Sequence, residues 1–145
     1  MVEWPPPERQ MGVRFPLRPF MVQVILDTNF LVYCAENKVD YAAGIMEIMN
    51  EGYELVVPKQ IISELKEISE KSKKLSDRSA AWLALKLLEH NKVKIIEVRG
   101  SYADEAIINL VRMGSVVATV DLELRKKLKN TRFIVIKGTR KISWE

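Results

Sequence analysis

Four carboxylates, widely spaced along the 145-residue chain, stand where strands and helices would aim them at one point. Asp27 closes the apolar run Val22–Leu26 and is followed by Thr28 and Asn29. Glu64 comes early in a segment opened by Pro58. Asp104 follows Gly100 and Ser101, and Asp121 closes a second apolar run over 116–120. Carboxylates gathered together repel one another unless a cation lies between them. Mg²⁺ and Mn²⁺ take oxygen ligands and are usually held by a few carboxylates plus waters. A cation so held lowers the pKa of a bound water, orients it and neutralises charge developing on a phosphate. The one histidine, His90, falls at a predicted helix end, where it complements the helix dipole. The sequence offers no Ser/His/Asp or Cys/His arrangement in competition, so the best available nucleophile is a metal-activated water.

Each acid also has a purely local reading. Asp27 reads as the cap of a helix beginning at Asn29, and Asp121 as the cap of one beginning at Leu122. Neither role excludes metal binding. Glu64 reads as a surface helix residue, although it lies between Ile62 and Leu65. Asp104 and Glu105 read as complements to a positive helix start. Taken singly, the local reading suffices for Glu64 and Asp104. Four acids at element ends in one topology favour a common site.

That topology follows from periodicity. Val22–Leu26 is a near-continuous apolar run, as in a strand covered on both faces. Helices are expected over 29–37 and 41–51, with Gly52 ending the second. A short strand over 55–57 leads to a helix with Pro58 in its first turn and Ile61, Ile62, Leu65 and Ile68 inward. Ser76 or Asp77 is expected to cap the next helix, with Ala81, Leu85 and Leu88 inward. A third strand is expected over 93–98, then a helix over 101–113 with Ser101 as cap and Gly114 as terminator. A fourth strand over 116–120, a helix over 122–129 and a fifth strand over 133–136 complete the series. Such alternation specifies a parallel sheet flanked by helices, with ligands at the carboxyl ends of strands. Adjacent strands lie ~4.8 Å apart, so Asp27 and Asp121 on neighbouring strands would share one ion.

Composition agrees with a single folded unit. The length allows one domain with a real core, and 48% apolar with 29% charged residues is a soluble balance. No apolar stretch reaches the ~20 residues of a membrane helix, and the start lacks a signal-like pattern. Cys34, alone, makes no internal disulfide and no thiolate cage, which suits a reducing cytoplasm. Residues 1–20, with Pro5-Pro6-Pro7, Pro16 and Pro19, are expected to form a poorly ordered leader, and 21–145 the domain.

The net charge of +4 and pI of about 9.2 suit a polyanionic partner. Basic residues cluster over 71–74, 125–129 and 137–141. Each cluster also reads as a solvated helix face or tail. Arg125, Lys126, Lys127, Lys73, Lys74 and Arg78 are the candidate phosphate contacts. Tyr102 is the one aromatic beside the expected site, where it either stacks a base or packs under the helix start. Phe30, Leu31, Tyr33, Ile45, Met46 and Met49 exceed what one core face needs, so a homodimer through the first two helices is an expectation.

The sequence resembles the PIN-domain family of metal-dependent ribonucleases over about residues 22–137. The likeness rests on Val24-Ile25-Leu26-Asp27-Thr28-Asn29-Phe30, on Pro58 through Glu64, on Gly100-Ser101-Tyr102-Ala103-Asp104-Glu105 and on Val117-Ala118-Thr119-Val120-Asp121-Leu122-Glu123-Leu124. It is strongest to the branch containing the nuclease of eukaryotic small-subunit ribosomal RNA processing and its archaeal relatives. The resemblance implies a single three-layer α/β domain, its parallel sheet of about five strands ordered 3-2-1-4-5. It implies that Asp27, Glu64, Asp104 and Asp121 hold Mg²⁺ or Mn²⁺. Asn29 and Thr119 would orient them, with Glu105 and Glu123 as secondary acids. The expected activity is endonucleolytic cleavage of single-stranded or structured ribosomal RNA, with a ribosome-assembly partner and no membrane. The alternatives are a toxin ribonuclease with an antitoxin partner and a non-catalytic RNA- or ribosome-assembly-binding module.

Overall fold

Strand β1 (Val22–Leu26) is central because both its faces are covered: Val24, Ile25 and Leu26 are fully buried, and its one polar residue, Gln23, is buried with its Oε1 accepting from the Ser115 hydroxyl at 2.9 Å. The computed structural model describes residues 21–145, so the leader expected over 1–20 lies outside the described residues. After β1 come α1 (Thr28–Glu36), α2 (Tyr41–Ile48), β2 (Tyr53–Pro58), α3 (Lys59–Lys71) and α4 (Leu75–His90). They are followed by β3 (Lys94–Ile96), α5 (Ala103–Leu110), β4 (Val116–Ala118), α6 (Leu122–Lys127), β5 (Arg132–Lys137) and β6 (Lys141–Trp144). The sheet order is β3-β2-β1-β4-β5-β6, parallel through β5.

The expected order of five strands is therefore present, with a sixth strand added at one edge. β6 pairs antiparallel with β5 through a turn at Gly138, whose φ of 62° favours glycine. Residues 137–141 are this hairpin rather than a solvated tail. Ile142 is buried against α2, and the Trp144 indole N–H donates to the Ile48 carbonyl at 3.3 Å.

Other boundaries move for identifiable reasons. Pro58 is the last residue of β2 and the cap of α3, with extended backbone, rather than a first helical residue. Helix α4 starts at Leu75, so the expected caps Ser76 and Asp77 fall inside its first turn. Its entry is held instead by Arg78, which donates to the Ser72 carbonyl at 2.7 Å. Helix α5 ends at Leu110 because Val111 turns extended, so Gly114 belongs to the turn before β4. The apolar excess on α1 and α2 is mostly core: Phe30, Leu31, Ile45 and Met49 are buried, and of the six residues named only Met46 is strongly exposed. Met46 and the half-buried Tyr33 are what these helices leave open of the apolar surface on which a homodimer is expected. No described helix is long and apolar enough to cross a membrane.

Candidate active site

The sheet reverses its strand order between β1 and β4, which leaves a crevice beyond their carboxyl ends. The register pairs Leu26 with Ala118, so Asp27 and Thr119 emerge side by side. The Asp27 amide donates to the Ala118 carbonyl at 3.0 Å, and the Thr119 amide donates to Ile134 on the far side. Thr119 is fully buried. Its hydroxyl donates to Asp27 Oδ2 at 2.9 Å and accepts the Asp121 amide at 2.9 Å. One hydroxyl thus ties the first acid to the backbone of the fourth.

Asp27 also caps α1, its Oδ1 accepting from the Thr28 amide at 2.9 Å. It is only 2% exposed. Burial pushes its carboxyl up to about 7, opposed by the Thr119 hydrogen bond and reinforced by the charges of Asp104 and Asp121. Those two charges act on Asp27 because folding brings residues 27, 104 and 121 into one neighbourhood. Asp121 caps α6, accepting from the Glu123 and Leu124 amides at 2.9 and 3.4 Å.

Glu64 joins from the other side. Its Oε2 accepts the Ala103 amide at 2.8 Å, which fixes the start of α5 and hence Asp104 in the next position. Ser101 was expected as the cap of this helix. Instead its amide is taken by Glu105 Oε2 at 3.1 Å, and Tyr102 occupies the capping position. Gln60, which sequence reasoning did not single out, donates to the Val98 and Gly100 carbonyls at 2.8 and 2.7 Å and anchors the same loop. An amide one turn before Glu64 was the available signal. Gly100 completes the loop with φ 146°, and a Cβ there would meet the Ala106 backbone nitrogen at 2.7 Å. Gly100→Ala should cost about 1–3 kcal/mol by overpacking against backbone and should shift the start of α5. Thermal melting and loss of cation response, measured together, check this.

The remaining residues sort clearly. Lys127 Nζ lies 3.9 Å from Asp104 Oδ2 and shares with it a depression of about 470 Å³, lined also by Glu64, Tyr102, Glu105 and Ile108. Asp27 and Asp121 do not line that depression. Arg125 is paired with Glu145, and exposed Lys126 lies 3.4 Å from Glu123. Asn29 is exposed and makes no hydrogen bond to an acid among the described residues. Lys73 and Lys74 lie beyond the end of α3, about 10 Å further along that helix than Glu64. Lys74 lines a different depression with Ser76 and Asp77, and Arg78 is spent on its own turn. A separate cavity of about 350 Å³ around Cys34, Tyr41 and Leu87 contains none of the four acids.

The donor set suits a hard divalent cation in its chemistry. All four candidates are carboxylates, and burial together with the charges of Asp104 and Asp121 raises the Asp27 carboxyl, a cost that a bound cation would offset. Glu64 Oε1, Asp121 Oδ2 and both Asp104 oxygens accept no protein hydrogen bond among the described residues. As the side chains stand, no three described acids, histidines or cysteines enclose an ion-sized point.

The family described as a PIN like domain matches residues 24–141. The chain belongs to the PIN-like domain family. Ribonuclease VapC4 of Methanocaldococcus jannaschii is 31% identical to this PIN-like chain over 118 residues, spanning 80% of this chain and 89% of VapC4. The rRNA-processing protein FCF1 of Saccharomyces cerevisiae is 26% identical over 111 residues. That match spans 74% of this chain and 54% of FCF1, so the chain covers about half of that relative. Among solved structures, the PIN domain endonuclease Utp24 matches with a TM-score of 0.68 at 24% identity, over 85% of this chain and 90% of that one. VapBC2 from Rickettsia felis matches at 0.56 and 15% identity, over 80% and 100%. These structural likenesses are likenesses of the PIN-like fold.

Proposed function

We infer that this PIN-like protein is a divalent-cation-dependent endoribonuclease, with Asp27, Glu64, Asp104 and Asp121 as the ligands of Mg²⁺ or Mn²⁺. The observation that carries the reading is the joining of Asp27 and Asp121 through the buried Thr119 hydroxyl at the point where the sheet reverses. When bound, the cation supplies a Lewis acid that acidifies water and neutralises charge on the phosphate. The chain's own residues do the rest. Thr119 holds the Asp27 carboxylate in place, and Glu64 fixes α5 so that Asp104 faces the crevice. Lys127 presents a positive charge beside Asp104, where a phosphate of the substrate would sit. Glu105 and Glu123 serve their own helix starts and rim pairs rather than the centre.

A titration of RNA cleavage against Mn²⁺ tests the reading, with Asp121→Asn as the control. Cleavage that rises with the cation and falls sharply in the variant is expected; cleavage indifferent to both would refute it. Lys127→Ala should weaken RNA binding uniformly across sequences and lower its salt slope by about one. Lys73→Ala should leave that slope unchanged, as measured by anisotropy over a salt series.

Placement in ribosomal RNA processing draws support from the match to the rRNA-processing protein FCF1, of which the chain covers about half. A toxin role, with an antitoxin partner, is favoured by the VapC4 match, which spans nearly all of that ribonuclease. Growth arrest on expression, relieved by a neighbouring gene product, separates the second role from the first.

A further inference from the structure

Tyr102 is 64% exposed although it occupies the capping position of α5, and its hydroxyl makes no hydrogen bond among the described residues. Packing under the helix start, one of its two expected roles, is therefore not what the ring does. Its backbone is held rigidly, since the next amide is the one Glu64 grips at 2.8 Å. The ring forms one wall of the depression that also contains Glu64, Asp104 and Lys127. Ile108, 41% exposed, lines the same depression, and exposed Val120 and Leu122 bracket Asp121 in the chain. Apolar surface is thus left uncovered beside carboxylates and a lysine, where a solvated site would need none.

We propose that Tyr102 is a stacking platform for an unpaired nucleobase next to the phosphate held at this site. This rests on the nuclease reading for the phosphate and deepens it by naming the side chain that receives the base. The combination fits a flat, weakly polar group that arrives joined to a phosphate. Paired bases keep their faces covered within the stack and offer nothing to the ring, whereas unpaired bases expose a whole face. Stacking on an aromatic ring is tolerant of sequence because every base has a π-face, so the selection is for unpaired structure rather than for a motif.

Binding by fluorescence anisotropy, in an Asp27→Asn background that keeps RNA intact, tests the idea. The probes are a short oligoadenylate and an abasic ribose–phosphate chain of equal length. The chain with bases should bind roughly 5- to 100-fold tighter, and Tyr102→Ala should remove most of that preference. Tyr102→Phe should keep the preference. Tyr102→Leu, which preserves apolar volume without the π-face, should lose it while melting like the parent. Equal binding of both probes by the Tyr102 form, or Phe behaving like Ala, would overturn the proposal. A Tyr102-dependent preference in a protein that shows no cation-dependent cleavage would uphold stacking and remove the nuclease reading. Normal cleavage without the preference would do the opposite and assign the exposed ring to a protein contact.

Discussion

Asp27→Asn is expected to suppress RNA cleavage by roughly 100-fold or more while making the cation-free protein harder to melt. Loss of a residue that merely supports a metal ligand costs 10–100-fold, so loss of a ligand should cost at least the upper end. The stability gain follows from the raised pKa. Asp27 goes from 3.8 to about 7, chiefly because burial disfavours its charge. Between about pH 4 and 7 the folded protein therefore binds this proton more tightly than the unfolded chain does. Stability contributed by the group declines as pH rises through that window and levels off above it, by up to about 4 kcal/mol. Asparagine is nearly isosteric, keeps an acceptor for the Thr28 amide and carries no charge. At pH 8 without divalent cation the variant should melt roughly 5 °C above the parent, and the gap should close towards pH 4. Calorimetric melting at the two pH values, beside a cleavage assay, checks both halves. A variant less stable than the parent at both pH values would show that the buried charge is not the source of strain.

The second large effect concerns the cation itself. Binding to the folded state alone stabilises by about 2.7 kcal/mol at a hundred times Kd. For a domain of this length that corresponds to roughly 5–10 °C. Below pH 7 the ion must displace the Asp27 proton, so its apparent affinity should fall about tenfold for each pH unit and be flat above. Thermal-shift titrations with Mn²⁺ at several pH values give the slope directly. A midpoint that ignores pH between 5 and 7 would mean that Asp27 does not ligate. The same titration on Asp27→Asn should show little shift at any pH.

Most of this was legible in the chain because the informative residues lie in locally determined structure. Val22–Leu26 is apolar but for Gln23, and β1 has those bounds because both its faces are covered. Asp27 and Asp121 follow such runs and cap helices through their own neighbours' amides, an interaction of short range. The parts that were not legible depend on distant partners. The start of α5 is set by Glu64, 39 residues away, and by a backward reach of Glu105, so Ser101 looked like a cap and is not one. β6 is a four-residue edge strand whose pattern is visible only once α2 supplies a surface for Ile142. The basic residues show the same limit. Lys127, Arg125 and Lys126 are neighbours in sequence, yet helical geometry sends one to Asp104, one to Glu145 and one to Glu123. Charge clustering names candidates, and only the fold says which of them faces the acids.

The most direct test is a Mn²⁺ binding titration of the folded protein, followed by electron paramagnetic resonance of the free ion at pH 8. Saturable binding that is lost in both Asp27→Asn and Asp121→Asn is the predicted result. Binding that persists unchanged in both variants, or none in the parent, would contradict a common cation centre built by these carboxylates.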